Sequence, residues 1–291
     1  MVIGMRISVP DGPARSAANS SRTLALLTAL ALALVLAVVV APARLAAIGS
    51  GGGFVDHRNF VQAVREAFVR YWSSGDRDFS PDLERVVDYW FRFHVVKAVI
   101  AAILLMVLVA LGVRLWKAFL RDGGLGAGRR AGLVSGGILV TMLALLSLVM
   151  VIANIQGALA PFSSLLPMLE IGAPHGELAD SLDQVRQRLN DSLSTGGQPP
   201  APLQLMINDF SWYHRAVAVV AAIVAVAVIG LSSVLWKRFA RSADRRTRRV
   251  LGSFGVLTTL FSLLLIALAA GNTTVAADPA PALMAFFEGG W

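Results

Sequence analysis

Apolar residues in this chain gather into runs about as long as a bilayer is thick. They run approximately from Thr23 to Val40, Val95 to Val113, Leu133 to Ala153, Ala216 to Leu235 and Val250 to Ala270. A helix needs about 20 apolar residues to cross a hydrocarbon core. The runs show no alternation of period two, and open strands inside lipid would leave backbone groups unpaired, so the pattern predicts five helical spans. The expected fold is all-α and polytopic. It comprises an N-terminal tail (1–22), a first span (23–48), an outer segment (49–93), a second span (94–120), a basic loop (121–131), a third span (132–155), a second outer segment (156–213), a fourth span (214–236), a second basic loop (237–249), a fifth span (250–271) and a tail (272–291).

Between the runs the pattern changes period. Phe60, Val61, Val64, Phe68 and Trp72 in the first outer segment, and Leu178, Leu182, Val185, Leu189 and Leu193 in the second, recur every three or four residues among polar neighbours. Each predicts an amphipathic helix. Leu182, Val185 and Leu189 are therefore candidates for helix packing, against either a partner or the chain's own spans. Ser80-Pro81-Asp82 reads as a helix start, with no breaker before Gly112, so an outer helix is expected to continue into the second span.

Composition agrees: 56% of the 291 residues are hydrophobic, 15% are charged, and the mean hydropathy is +0.67. Cysteine is absent, which excludes disulfides, thiolate metal sites and a cysteine nucleophile. The pI of about 10.9 in a soluble protein would point to nucleic acid. Here the positive charge sits in two short loops. Five cations against one acid lie in 114–130, including Arg129 and Arg130; seven against one lie in 237–249, including Arg245, Arg246, Arg248 and Arg249. The segment 157–214 has two cations against six acids. The positive-inside rule then predicts a cytoplasmic N-terminus, an extracytoplasmic C-terminus and a cell-membrane location. The basic loops are expected to meet anionic lipid headgroups rather than nucleic acid. The basic tail, first run and Ala41-Pro42-Ala43 imitate a signal peptide, but the run exceeds the usual h-region, so the span is expected to be retained.

The chain also repeats itself. At an offset of 120, His94 recurs at His214, Ala101-Ala102-Ile103 at Ala221-Ala222-Ile223, and Leu115-Trp116-Lys117 at Leu235-Trp236-Lys237. At 118, Gly137 recurs at Gly255, Thr141 at Thr259, Asn154 at Asn272, Pro161 at Pro279 and Glu170 at Glu288. The expected unit is a helix hairpin with an outer segment, duplicated in parallel. The first span and its outer helix form a half-unit, with Arg65 answering Arg186.

Candidate chemistry is sparse. The central parts of the spans contain no ionisable residue, which disfavours ion-coupled transport. His94 and His214 stand at equivalent depths, the arrangement that a bis-histidine haem or a shared metal requires; duplicated interfacial histidines that hydrogen-bond their neighbours are the ordinary alternative. Gly132 and Gly136 form a GxxxG spacing, and Ala218 and Ala222 offer a second close-packing face, for an internal helix or another subunit. No nucleophile elbow or HExxH spacing is present, and the GGLGAG stretch follows a membrane run rather than a strand. The leading expectation is a non-enzymatic accessory or scaffold subunit with a protein partner or a second copy. A channel, permease or lipid-handling component is the first alternative, and a haem-bearing electron-transfer subunit the second.

Overall fold

In the computed structural model, which describes residues 13–48, 54–121, 126–172 and 175–290, every regular element is helical. Five helices are long and apolar enough to cross a membrane: α1 (Pro13–Ala46), α3 (Pro81–Arg121), α4 (Ala127–Leu159), α7 (Ala201–Arg241) and α8 (Arg245–Ala277). They mark the chain as a membrane-embedded, multi-pass protein. Shorter helices join them at one end: α2 (His57–Ser74), α5 (Pro161–Leu165), α6 (Glu177–Thr195) and α9 (Pro279–Phe287), with a 3-10 turn at Leu166–Met168.

The spanning helices pack in the order α1, α3, α4, α7, α8. Within the hairpins α3/α4 and α7/α8 the contact is extensive, and between α4 and α7 it is much smaller. The hairpins match in dimension: α3 and α7 each have 41 residues, and α4 and α8 each have 33. Proline-led α5 and α9 follow α4 and α8. The helix starting at Pro81 continues without interruption into the second span, because the Ser80 hydroxyl caps its first turn and nothing breaks it downstream.

The short helices and the ends of the long ones beside them form a cap with its own hydrophobic core. Asp56 starts α2 by accepting from the amides of Arg58 (2.8 Å) and Asn59 (3.1 Å), and Gly75 ends it in the left-handed region at φ 71°. Phe60, Val64, Phe68 and Tyr71 of α2 are thereby turned inward, where they meet Leu182, Val185 and Leu189 of α6 in one core with Leu83, Phe162, Leu203 and Leu283. The stripe on α6 is thus covered within the chain from Leu178 to Leu189, and Leu193 at its end is exposed. Polar ties fasten the rim: Trp72 Nε1 donates to Gln184 (3.1 Å), and Arg65 pairs with Glu170 (2.8 Å) while its Nε donates to the Met168 carbonyl (3.2 Å). Arg186 on α6 makes the corresponding bond to the Phe287 carbonyl (3.2 Å).

Tyr71 is fully enclosed, donates to the Arg77 carbonyl (3.2 Å) and lies near the Asp78 charge. Burial first, and Asp78 second, push its phenol up to about 12. The unfolded phenol ionises near pH 10, so the unfolded state releases its proton first, and this contribution to stability declines as pH rises from 10 towards 12. Spectrophotometric titration is expected to show that Tyr71→Phe removes amplitude only from the last, most alkaline part of the phenolate transition. Loss of amplitude near pH 10 would contradict the enclosed position.

Candidate functional site

Several polar groups within the spanning helices sit where the helices of a hairpin meet, while Ser135, Ser233 and Ser253 are exposed. At the cap end, His94 Nδ1 lies 2.9 Å from Asn154 Oδ1, and His214 Nδ1 lies 2.8 Å from Asn272 Oδ1. Each asparagine spends its amide N–H on the carbonyl four residues earlier in its own helix, Asn154 on Met150 (2.7 Å) and Asn272 on Leu268 (2.8 Å). The oxygen is then the group facing the histidine, so Nδ1 carries the proton and Nε2 keeps its lone pair.

Both imidazoles sit among aromatic rings at corresponding positions. His94 has Trp90 at 4.6 Å and Phe93 at 5.7 Å; His214 has Phe210 at 4.6 Å and Tyr213 at 5.4 Å. Nε2 is buried without a hydrogen-bond partner in both. Beyond the identity of these rings, the two sites differ in what faces the imidazole. His94 lies against Gly157, where an added Cβ would come within 2.5 Å of the ring, whereas the residue 118 positions later is Val275.

The basic ends of the hairpins are fastened by a second pair of bonds. Trp116 Nε1 approaches Thr141 Oγ1 at 3.4 Å, and Trp236 Nε1 donates to Thr259 Oγ1 at 3.1 Å. Thr141 and Thr259 donate onward to the carbonyls of Gly137 and Gly255, at 2.7 and 2.8 Å. These glycines let the indoles lie flat on the opposite helix: a Cβ at Gly137 would stand 2.9 Å from Trp116, and one at Gly255 3.0 Å from Trp236. Midway along the first hairpin Ser147 donates to the Ala101 carbonyl (2.8 Å), and in the second Ser232 and Thr259 share a bond of 3.0 Å.

The remaining sequence candidates separate. Gly136 meets Leu115 of α3, while Gly132 faces open space. On α7, Ala218, Ala221 and Ala225 are buried, the last two with Ile152 of α4 and Leu265 of α8; Ala222 is exposed. At the basic end, Arg246 lies over the Phe119 ring at 4.0 Å and Arg130 at 5.8 Å, so cations from both turns converge on one aromatic of α3. Arg248 lies over Phe239 at 5.0 Å, and Arg129, Arg245 and Arg249 are exposed. Asp244 caps α8, and hydrogen bonds from the Thr247 hydroxyl and amide hold its carboxyl below the usual carboxylate range. His57 opens α2, His175 lies in an exposed bend, and no group of three or more metal-ligating side chains occurs among the described residues.

The histidine pair was legible in the sequence; its partners were not, although Asn154 with Asn272 and Thr141 with Thr259 stood at the same offset. Comparison with protein-family models, with curated proteins and with solved structures finds no match for this chain.

Proposed function

We propose that this chain is a non-enzymatic, multi-pass protein of the cell membrane, an accessory or scaffold subunit built from two copies of one helix hairpin preceded by a half-unit. The observation that carries the reading is how the polar groups within the spans are used. Asn154, Asn272, Thr141 and Thr259 anchor their donors on their own helices, and their oxygens, together with His94, His214, Trp116, Trp236 and Ser147, fasten one helix of a hairpin to the other. A carrier that slides the two helices of a hairpin past each other has to break such bonds on every cycle, whereas a platform keeps them.

The duplication is supported by the matching His–Asn and Trp–Thr bonds, the matching helix lengths and the parallel roles of Arg65 and Arg186 at the carbonyls of Met168 and Phe287. The arginine pair is what extends it to the half-unit. By the distribution of basic residues the turns between hairpin helices face the cytoplasm, with anionic headgroups beside Arg129, Arg130, Arg245, Arg246, Arg248 and Arg249, and the cap faces outward.

Because the α6 stripe is covered internally from Leu178 to Leu189, a protein partner is left with the polar outer faces of α2 and α6, the exposed Leu193 and the open space at Gly132. Extraction in a mild detergent is expected to recover a stoichiometric protein partner. Gly132→Leu is expected to reduce that recovery without destabilising the isolated chain, since its side chain enters open space and leucine favours a helix over glycine. A chain that runs alone at every concentration contradicts the reading.

A further inference from the structure

An open cleft of about 440 Å³ lies beside α7, between it and the end of α4. Asp209, Trp212, Ala216, Val219 and Val220 form one stripe of α7 along it, at intervals of three, four, three and one residues; Leu159 closes it from the end of α4 and Arg215 flanks it. The cleft therefore has a polarity that changes in one direction. Its deep part is aliphatic, its middle has an indole and a guanidinium, and its end nearest the cap has a carboxylate.

The two charged groups are not spent on each other. Arg215 is exposed, pairs with no carboxylate among the described residues, and lies over the Trp212 ring at 4.9 Å. Trp212 precedes it by three residues, so the side chain runs along the helix towards the cap, as an arginine near a membrane boundary does. One oxygen of Asp209 accepts from the Ser163 amide at 2.7 Å, which fixes the carboxylate at the mouth of the cleft. The guanidinium, at the level of Trp212, is then about 5 Å short of Asp209 along the helix axis, at 1.5 Å of rise per residue.

We propose that this cleft is a binding site for a phospholipid with a primary-amine headgroup, of the phosphatidylethanolamine class. Moving from the bilayer outward, such a lipid presents an acyl chain, a phosphate, a two-carbon spacer and an ammonium group. The cleft presents Val219 and Val220, then Arg215, then Asp209 in the same order. The guanidinium takes the phosphate through charge-assisted hydrogen bonds, and the second carboxylate oxygen accepts from the ammonium N–H. Choline has no N–H to donate, and an anionic headgroup without an amine brings no cation to Asp209, so both bind less well.

The test uses the purified full-length chain, delipidated in detergent and offered phosphatidylethanolamine, phosphatidylcholine or phosphatidylglycerol with identical acyl chains, with retained lipid read by native mass spectrometry. Wild type is expected to retain phosphatidylethanolamine about tenfold better than either alternative, the effect of one charge-assisted hydrogen bond. Asp209→Asn keeps an oxygen for the Ser163 amide and is expected to abolish the preference. Arg215→Gln is expected to lower retention of the amine lipid about tenfold. Val219→Trp fills the cleft from an exposed position and is expected to reduce retention with the thermal transition unchanged. Equal retention of the three lipids by wild type, a preference that survives Asp209→Asn, or displacement of bound lipid by soluble phosphoethanolamine each overturns the assignment. The last would show that the aliphatic part of the cleft contributes nothing.

Discussion

Replacing Leu189 by alanine is expected to lower the stability of the purified, partner-free chain by about 2–5 kcal/mol, the range for a leucine truncated inside a packed core. Leu189 is 0% exposed, as is Val185, and Leu182 is 1% exposed. The three lie in one core with residues of α2, α7 and α9. Truncation leaves a void that α6 cannot close by sliding, because Trp72 holds Gln184 and Arg186 holds the Phe287 carbonyl on the same helix. Arg188→Ala, one residue away on the exposed face, is expected to stay within about 0.5 kcal/mol. Equilibrium unfolding in detergent distinguishes the outcomes. If Leu189→Ala matched wild type in isolation and lost stability only in a complex, the stripe would be a docking face and the cap would not be self-contained.

Gly157→Ala is expected to be the most damaging single-methyl change in the spans, costing about 1–3 kcal/mol as an overpacking substitution. The added Cβ would stand 2.5 Å from both Cε1 and Nε2 of His94. The ring has little room to retreat, since Asn154 holds Nδ1 and Trp90 approaches at 4.6 Å. Relief therefore requires either breaking the His–Asn bond or separating α3 from α4. A double-mutant cycle checks this: His94→Ala with Gly157→Ala is expected to cost clearly less than the two single changes added together, because the small side chain removes the clash. Additivity would show that the histidine does not press on the glycine. Val275→Ala in the second hairpin is expected to be mild, which makes Gly157 a point at which the two hairpins differ.

These outcomes bear on function through rigidity. A His–Asn bond at one end and a Trp–Thr bond at the other hold each hairpin at both extremities, and the cap joins the hairpins to each other and to α1. If such bonds contribute individually about 0.6 kcal/mol, as between membrane helices, several in series still resist sliding, because a register shift breaks them together. The proposed platform role depends on that stiffness.

The five spanning helices were legible from their apolar runs because the physics is local, whereas α5 and α9, which fall in stretches read as an outer segment and a tail, were not. A run of about 20 apolar residues has no stable alternative to a helix in lipid, and charges flanking it read as loops. The continuous α3 was legible for a similar reason, Ser80 and Pro81 being a start signal with no stop after it. The repeat offsets were visible as identities, and His94 with His214 stood out among them.

What those histidines touch was not legible. A helical residue's neighbours across a hairpin depend on the rotation and crossing of two helices, quantities that no single run encodes. The same limit hid which small residues meet a neighbour: Gly132 and Gly136 share a spacing, yet one faces open space and the other Leu115, and Ala221 rather than Ala222 turns inward. Whether the stripes of α2 and α6 faced a partner, lipid or each other was open from pattern alone, since a hydrophobic face asks only to be covered. Tertiary packing decided it, by closing the stripe of α2 and that of α6 from Leu178 to Leu189 into one core with α3, α7 and α9, and by leaving beside α7 a cleft with aliphatic residues at one end and Asp209 at the other.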